Sequence, residues 1–591
     1  MNGHASLNRF YRLVWSCVSQ GWQVVSEITR GQGKGASARS ARRASSAVAA
    51  TVASVALAGI ACMAHAQQAP PAVNQLPTGG VVARGAASIA QTSNAMTVNQ
   101  SSQRAVINWN SFNVGQNASV TFNQPGSQAV TLNRIADQNP SQIYGQINAN
   151  GQVFLSNPSG IYFSPTAQAN VGALTATTHG VADDDFMAGN MAFSRNGATG
   201  AVVNEGRLNA ALGGYIALLA PEVRNAGVIV AQAGTVALAA GEVITLNFNG
   251  TGGLAGITTT PSAIASLIEN KQAVQAPDGQ IILSAVALNK LQAGVIRSSG
   301  SLDASSISSK GGVITLEGDD ITLSSTSTIK ATGATGGGTV LVGGDWQGSG
   351  TLRQATKVNM AAGATIDASA TQQGDGGKVV LWSDVRNVNS LTVVGGSLST
   401  LGAQGGYGGE IETSGHRLQV EPTASIAAGT SDASGARGVW LLDPADITIA
   451  ATGGASGLAS NSAYGNTTYQ PTSGVNTTVI DIATINAAYQ TSGTVTISTT
   501  TIAGTQGTGT GNIIVDTPIT VTGGAAQGQT KALNLFASGS GGISGSGNIA
   551  LSYANLTIKQ DGDSTYAGAI SGNGTVIKFG SGTLTLSGNS T

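Results

Sequence analysis

The sequence predicts an all-β protein that folds as a right-handed parallel β-helix with an N-terminal cap, and three observations carry this prediction. Small residues dominate, since 83 of the 591 residues are Gly, 9% are charged and 4% are aromatic. So few large side chains suit a regular stack of short strands better than ordinary globular packing. Short apolar runs recur between turn formers. The 41% hydrophobic content argues against a disordered Gly/Ser-rich chain.

Residues 1–66 are predicted to form an extended signal peptide that is cleaved. Arg39, Arg42 and Arg43 supply a basic region, residues 47–60 an apolar region, and Ala64-His65-Ala66 a small-x-small cleavage site. The apolar run is too short for a membrane-spanning helix. The mature chain is therefore expected to begin at Gln67, with a Pro/Ala linker over residues 67–75.

Cysteine placement and charge restrict the chemistry of the mature chain. Both cysteines, Cys17 and Cys62, lie in the leader, so no disulfide can form after cleavage. Without the leader, 20 basic and 27 acidic residues remain, a formal charge of −7. This balance argues against nucleic acid or an anionic membrane as the main partner.

The block from Thr131 to Leu174 is the most informative part of the chain. Its apolar runs at 152–155 and 161–163 are separated by the turn formers at 148–151 and 157–160. Short strands joined by tight turns are therefore predicted here. The residues LNRI at 132–135, NGQVFL at 150–155 and NPSGI at 157–161, with VINW at 106–109 and NVGAL at 170–174, resemble the two-partner secretion domain of filamentous-haemagglutinin-type exoproteins.

The resemblance spans residues 74–246, and we assign the secretion domain to residues 76–250. Ser159 stands where the family usually has a second Asn, but Ser also suits a turn. The leader residues 8–37 likewise resemble the extended signal-peptide region of very large exported proteins of Gram-negative bacteria. The family resemblance implies a dedicated outer-membrane transporter as partner, whose periplasmic domains bind this domain; strand augmentation is a natural way to do so.

The candidate recognition residues follow from the same motifs: Asn133, Arg134, Asn157, Pro158, Ser159 and Gly160. A structural role is an equally weighted alternative, because buried Asn side chains can hydrogen-bond backbone groups in turns and Arg134 can anchor a loop.

Regular repeats follow the central block. Gly214, Gly227, Gly234 and Gly241 each precede a short strand, which suggests successive faces of a β-helix. The acidic run at residues 183–185 is interpreted as a solvated loop rather than a cation site. A segment near residues 262–276 has a composition that makes a short helical excursion plausible.

Residues 251–445 are predicted to continue the solenoid. Aliphatic residues recur at intervals of 27, 37, 32 and 28, namely Leu302, Ile329, Ile366, Leu398 and Ile426. Gly-led strands follow Gly312, Gly338, Gly377 and Gly409. Inward aliphatic stacks are expected at Val313, Thr315, Val340, Val342, Val379 and Leu381. The exposed first turn needs a cover, which we place at residues 81–97.

Residues 446–591 form a Thr/Ser/Gly-rich solenoid in this interpretation. The last 26 residues resemble the passenger-associated repeat of autotransporters, a repeat that normally continues further. A fragment of a longer reading frame is therefore expected.

The residues offer little for catalysis, and we expect no enzyme activity, no cofactor and no metal site. After the leader only His179 and His416 remain as histidines. Paired acids such as Asp319-Asp320 are expected to be loop acids rather than a glycan-active site.

The family resemblance implies a secreted or outer-membrane-associated adhesin or haemagglutinin of a Gram-negative bacterium, exported through the periplasm. Its receptors would be host-cell or bacterial surfaces, including glycans. The alternatives are the stalk of a contact-dependent toxin or haemolysin, and the passenger of a self-contained autotransporter.

The leader analysis makes one prediction. N-terminal sequencing of exported material should give Gln67 as the first residue, because signal peptidase cuts after small-x-small sites such as Ala64-His65-Ala66. Exported protein that still carries residues 1–66 would contradict it.

Overall fold

In the computed structural model of the chain, the described residues are 11–16, 21–26, 69–288, 293–387, 389–415, 417–421, 423–430, 438–443, 447–450, 466–469, 478–482, 494–499, 511–523, 531–537 and 540–591. The chain divides into two compact units at residue 68. The first contains an antiparallel pair, β1 (Tyr11–Ser16) and β2 (Gly21–Ser26). The predicted cleavage site, including Ala64, Ala66 and Gln67, lies outside the described residues, as does His416.

The second unit is a parallel β-helix, as predicted. It opens with β3 (Val81–Arg84), β4 (Ala87–Gln91), β5 (Ala95–Gln100), β6 (Arg104–Trp109), β7 (Ser119–Asn123) and β8 (Val130–Ile135). β3 pairs antiparallel with β6, and β4 pairs antiparallel with β5, whereas β5–β7 and β6–β8 are parallel. The two antiparallel strands cover the first parallel turn, which confirms the predicted cap.

Ten complete turns are described between residues 141 and 443, each with one strand in sheet 1, one in sheet 2 and one in sheet 3, in that order. The first five turns and their insertions are β9 (Ser141–Ile143), β10 (Gln146–Ala149), β11 (Gln152–Ser156); β12 (Ile161–Phe163), β13 (Gln168–Val171), β14 (Ala173–Thr177); α1 (Asp183–Ala188), β15 (Ala192–Ser194); β16 (Ala201–Asn204), β17 (Arg207–Ala210), β18 (Tyr215–Leu219); β19 (Glu222–Asn225), β20 (Val228–Val230), β21 (Thr235–Ala240); β22 (Val243–Phe248), β23 (Leu254–Thr259); β24 (Ser266–Asn270), β25 (Ala273–Gln275), β26 (Gln280–Ala285).

The next five turns contain one short 3₁₀ helix, η1. They are β27 (Gly294–Ser298), β28 (Ser301–Asp303), β29 (Val313–Gly318); β30 (Asp320–Leu323), β31 (Thr328–Lys330), β32 (Thr339–Val342); η1 (Trp346–Gly348); β33 (Lys357–Met360), β34 (Thr365–Asp367), β35 (Lys378–Trp382); β36 (Leu391–Val394), β37 (Ser397–Ser399), β38 (Glu410–Ser414); β39 (Arg417–Val420), β40 (Ser425–Ala427), β41 (Val439–Asp443). Neither α1 nor η1, the helices of the described chain, has the length and hydropathy to cross a membrane.

Sheet 3 continues past residue 443 as an unbroken parallel ladder to β54, whereas the strands that complete the later turns belong to separate sheets. These later strands are β42 (Ile447–Ala450), β43 (Asn466–Tyr469), β44 (Thr478–Asp481), β45 (Thr494–Ser498), β46 (Ile513–Val515), β47 (Ile519–Thr522), β48 (Lys531–Phe536), β49 (Ile543–Ser544), β50 (Ile549–Ser552), β51 (Ala554–Lys559), β52 (Ser564–Tyr566), β53 (Ile570–Gly572), β54 (Val576–Phe579) and β55 (Leu584–Leu586).

The core inside the helix consists of aliphatic columns, one residue per turn. In sheet 2, the repeated residues Leu302, Ile329, Ile366, Leu398 and Ile426 stack in direct register and are fully buried. Full burial of each such side chain contributes about 1.5–3 kcal/mol. The predicted aliphatic repeat is confirmed.

The predicted inward positions were right on β32 and β35 and wrong on β29. Val340 and Val379 stack on Ile314, which lies inside, whereas Val313 is 38% exposed and Thr315 faces outward. In each turn, the first inward residue of the sheet 3 strand stands two positions after the glycine at the corner between sheets 2 and 3. The prediction placed the inward residues of β29 one position too early and so assigned its side chains to the wrong face.

A second hydrophobic core lies outside the helix, against sheet 3. It is formed by α1, β15, β22 and β23, which together we call the outer cover. Phe154 of sheet 3 packs edge-on against Phe186 of α1 and stacks on Phe193 of β15, with ring centroids 5.9 Å apart in both pairs. Strands such as β18 are therefore buried on both faces and read as continuous apolar runs.

Three local expectations were wrong. The acidic residues 183–185 begin α1, where carboxylates favour the helix N-terminus. The strand after Gly241 is β22, which leaves the solenoid and pairs antiparallel with β23. Residues 262–276 hold β24 and β25 rather than a helix, because Ile268 and Val274 continue the inner columns and ladder packing overrides helix propensity.

The corner glycines generate a stability prediction. A Cβ on Gly338 would overlap the carbonyl oxygen of Gly312 in the previous turn, so Gly338→Ala should destabilise the mature chain by about 1–3 kcal/mol. Gly256→Ala is the control, because a Cβ there meets nothing within 4 Å. Thermal unfolding measures both, and equal midpoints for the two variants would contradict the steric explanation.

Candidate functional site

The candidate recognition residues lie in sheet 3 and at the corner that follows it. Asn133 and Arg134 are neighbours on β8, so their side chains point to opposite faces of the sheet. Asn157 directly follows β11, and the turn that it begins ends at Gly160. The backbone thus brings the motifs to adjacent turns of the solenoid.

Asn133 points into the helix and is fully buried. Its Oδ1 accepts a hydrogen bond from Trp109 Nε1 at 3.0 Å, and its Nδ2 donates to the carbonyl oxygen of Phe154 at 3.1 Å. Trp109 lies on β6 and Phe154 on β11, so one amide links three consecutive turns. Leaving either partner unsatisfied in this core would cost about 1–3 kcal/mol.

Arg134 points outward and holds the outer cover. Its Nη1 lies 2.7 Å from Oδ1 of Asp183, and its Nη2 donates to the carbonyl oxygen of Val181 at 2.9 Å. The side chains of Arg134 and Asp183 are 33% and 26% exposed, so the ion pair alone contributes little. The main effect of the two Arg134 contacts is positional, because they hold the segment that leads into α1 against β8.

Asn157 organises the turn between sheet 3 and sheet 1. The side chain is buried; Nδ2 donates to the carbonyl oxygen of Asn139 and to Ser141 Oγ, at 3.1 and 3.0 Å. Its Oδ1 accepts from the backbone N–H of Ser159 at 3.0 Å, the geometry of an Asx-turn. The amide therefore connects its own turn to the loop of the previous turn.

The other turn residues divide into buried and exposed members. Ser159 Oγ donates to the carbonyl oxygen of Asp137 at 2.8 Å. Gly160 adopts φ +121°, and a Cβ there would lie 2.9 Å from the carbonyl oxygen of Ala201 in the next turn. Pro158 is the exposed residue of the turn. In the folded domain Pro158 is therefore accessible from outside, whereas Asn133 and Asn157 are enclosed.

The structure adds residues that motif comparison missed. His179 is buried beside the outer cover, where Nε2 donates to the carbonyl oxygen of Gly241 at 2.9 Å. Burial is the main cause that lowers the pKa of His179, so the imidazole is neutral at neutral pH. Ser156 Oγ donates to the carbonyl oxygen of His179 at 3.0 Å and joins this segment to β11.

No sequence motif predicts the contacts of Asn133, Arg134 and His179, because the contacting residues lie far apart in the chain. An aromatic residue and a run of acidic residues single out Trp109 and Asp183 in the sequence. Which side chains they contact depends on the strand register, which the sequence does not show. Among the described residues, no group of three or more His, Cys, Asp or Glu side chains could hold a metal ion. The contacts of Asn133, Arg134 and Asn157 are structural: they hold neighbouring turns and the outer cover in place.

Two family matches correspond to this architecture. Residues 74–331 match the TPS secretion domain, and residues 8–57 match the Extended Signal Peptide of Type V secretion system. The first match extends beyond the predicted end at residue 250. Sheets 1, 2 and 3 continue through that point without a break.

Similar proteins come from Haemophilus influenzae. A Heme/hemopexin-binding protein is 32% identical over 263 residues, covering 43% of this chain and 28% of that protein. Another protein of that name is 29% identical over 299 residues, covering 46% of this chain and 31% of that protein. This chain thus spans less than a third of these relatives.

A solved structure supports the same assignment. The crystal structure of the HMW1 secretion domain from Haemophilus influenzae is similar with a TM-score of 0.50 and 29% sequence identity, covering 62% of this chain and 100% of that chain. The chain thus carries an extended signal peptide followed by a β-helical TPS secretion domain, and it is exported across the periplasm to a secreted or cell-surface location.

Proposed function

We propose that the chain is the exported partner of a two-partner secretion system and acts as a surface adhesin or haemagglutinin of a Gram-negative bacterium. The match of residues 74–331 to TPS secretion domains carries the proposal. Up to residue 443, that domain and the turns that follow it share the same three sheets, so it is the first part of one continuous solenoid in chain order.

The partner in this proposal is a dedicated outer-membrane transporter with periplasmic recognition domains. Two properties suit passage through such a pore. The chain after the leader has no cysteine, so no disulfide loop can block threading. Each turn pairs only with its neighbours, so folding can proceed turn by turn as the chain emerges.

The outward face of sheet 2 supports the adhesin part. In its first parallel strands the outward side chains are amides and hydroxyls apart from Ala95 and the charged Arg207: Ala95, Thr97, Asn99, Ser119, Thr121, Asn123, Gln146, Asn148, Gln168, Asn170, Arg207 and Asn209. Asn209 donates to Asn170 across strands at 2.9 Å, which orders the row. A polar face with one charged residue suits uncharged glycans on host or bacterial surfaces.

Two other functions fit parts of the chain. The resemblance of residues 566–591 to an autotransporter repeat favours the passenger of a self-contained autotransporter. A stalk for a contact-dependent toxin or haemolysin would use the same solenoid.

We do not propose that this chain binds heme or hemopexin, the ligands in the name of the two relatives. The chain covers only 28% of the first of them, and the single described histidine, His179, is buried.

The first test concerns the transporter. Deleting the proposed transporter should trap the chain in the periplasm and abolish release into the medium, because the proposal assigns passage across the outer membrane to that transporter. A periplasmic reporter protein with an ordinary signal peptide is the control and should be unaffected. Undiminished surface display after deletion would favour the autotransporter alternative.

The second test concerns the motif. Asn157→Ala should reduce secreted yield while expression is unchanged, since it removes the hydrogen bonds that shape the turn. Asn225→Ala is the matched control: it truncates an equally buried amide, bonded to Asn204 and Asn270 at 2.8 and 2.9 Å, outside the motif. Quantitative immunoblotting of medium and cells measures the ratio.

A third variant separates recognition from folding. Pro158 is exposed and its side chain has no hydrogen-bonding group, so we expect Pro158→Ala to leave the fold intact. A secretion defect in Pro158→Ala would indicate direct contact at the turn. Undiminished release of Asn157→Ala would count against both a recognition and a turn role for the motif.

A further inference from the structure

The cap strand β4 presents a free edge. β4 pairs with β5 on one side, and among the described strands none pairs with it on the other. The hairpin register is fixed at both ends, because Thr92 N–H donates to the carbonyl oxygen of Ala95 and Ser101 N–H to that of Ala86. Hydrogen-bonded pairs alternate along an antiparallel ladder. The N–H and C=O groups of Ala87, Ile89 and Gln91 therefore point away from β5.

The neighbouring cap strand, β3, is protected by the devices that proteins use against edge pairing. Its register with β6 shifts between Val82 and Arg84, which is a bulge, and Arg84 approaches Asp184 of α1 at 3.6 Å. Bulges and charged side chains block the approach of another strand. β4 lacks both features, and residues 85–103 contain neither a charged residue nor a proline.

We propose that the free edge of β4 is the docking site for an extended strand from the periplasmic part of the outer-membrane transporter. This inference rests on the proposed function and names the surface that it uses. The docked strand would pair with the main chain at Ala87, Ile89 and Gln91. Such pairing depends on backbone geometry more than on side chains, and this suits brief recognition of a passing chain.

The size of the edge favours a transient partner over a second copy of this chain. β4 has 5 residues, so two such strands would share only about 17 Å of backbone. A stable homodimer buries about 1,200 Å² or more, which this contact cannot supply by itself. A transporter must release its cargo, so a short, uncharged edge is sufficient for it.

The test compares two variants at one position. Gln91→Pro removes the N–H that points to the free edge, and edge strands tolerate proline there. Gln91→Ala removes the exposed side chain and keeps the N–H. Binding of each mature chain to the purified periplasmic domain of the transporter is measured by calorimetry. We expect Kd to rise about tenfold or more for Gln91→Pro and to stay unchanged for Gln91→Ala.

Hydrogen exchange at single-residue resolution tests the same edge without substitution, and it decides the matter if Gln91→Pro does not fold. In the free mature chain, the amides of Ala87, Ile89 and Gln91 should exchange fast and those of Ser88 and Ala90 slowly. The transporter domain should protect the first three.

Binding without this protection would overturn the edge assignment and leave the proposed function standing. No binding by the wild-type chain would overturn both, and a β4-dependent dimer of the chain would show that a second copy is the occupant.

Discussion

The solenoid depends on a steric constraint at the corner between sheets 2 and 3. Successive turns approach so closely there that the carbonyl oxygen of one turn occupies the position of a Cβ in the next, and only glycine has no Cβ. The column contains Gly172, Gly214, Gly234, Gly279, Gly312, Gly338, Gly377, Gly409 and Gly438. Two positions after each glycine an apolar side chain points inward, so the corner also sets the register of sheet 3.

That register explains why the secretion motif has two kinds of residue side by side. On β8, Asn133 faces the interior of the solenoid and Arg134 faces the outer cover. Sheet 3 is covered on both faces in this part of the solenoid. The inner residue joins neighbouring turns through Trp109 and Phe154, while the outer one holds α1 through Val181 and Asp183. Adjacent residues in one strand therefore stabilise two separate cores.

Composition and periodicity were sufficient to predict the fold class, because a Gly-rich chain with short apolar runs has few other ways to bury them. The aliphatic columns of sheet 2 were also predictable. Loop lengths vary between turns, so the intervals between these aliphatic residues are irregular, but each turn still contributes one of them. The outer cover was not predictable. β22 looks like one more Gly-led strand, and only its antiparallel pairing with β23 distinguishes it from a solenoid strand. The candidate site shows the same limit: motif residues were identified, but whether Asn157 faces the core depends on contacts with Asn139 and Ser141 in another turn.

The N-terminal end of a solenoid has to close the first turn and to provide the template on which the later turns stack. Every later turn finds its template in the turn before it, whereas the first turn has none and must be closed by strands of the opposite direction. Those strands are also the first structured part behind the leader in chain order. Residues that complete the first turns thus determine whether the solenoid can start. Under the proposed function, a secretion signal in the neighbouring turns would tie export to a segment that can begin folding. The buried Asn133 and Asn157 would then serve export through folding, because their hydrogen bonds shape the turns from within.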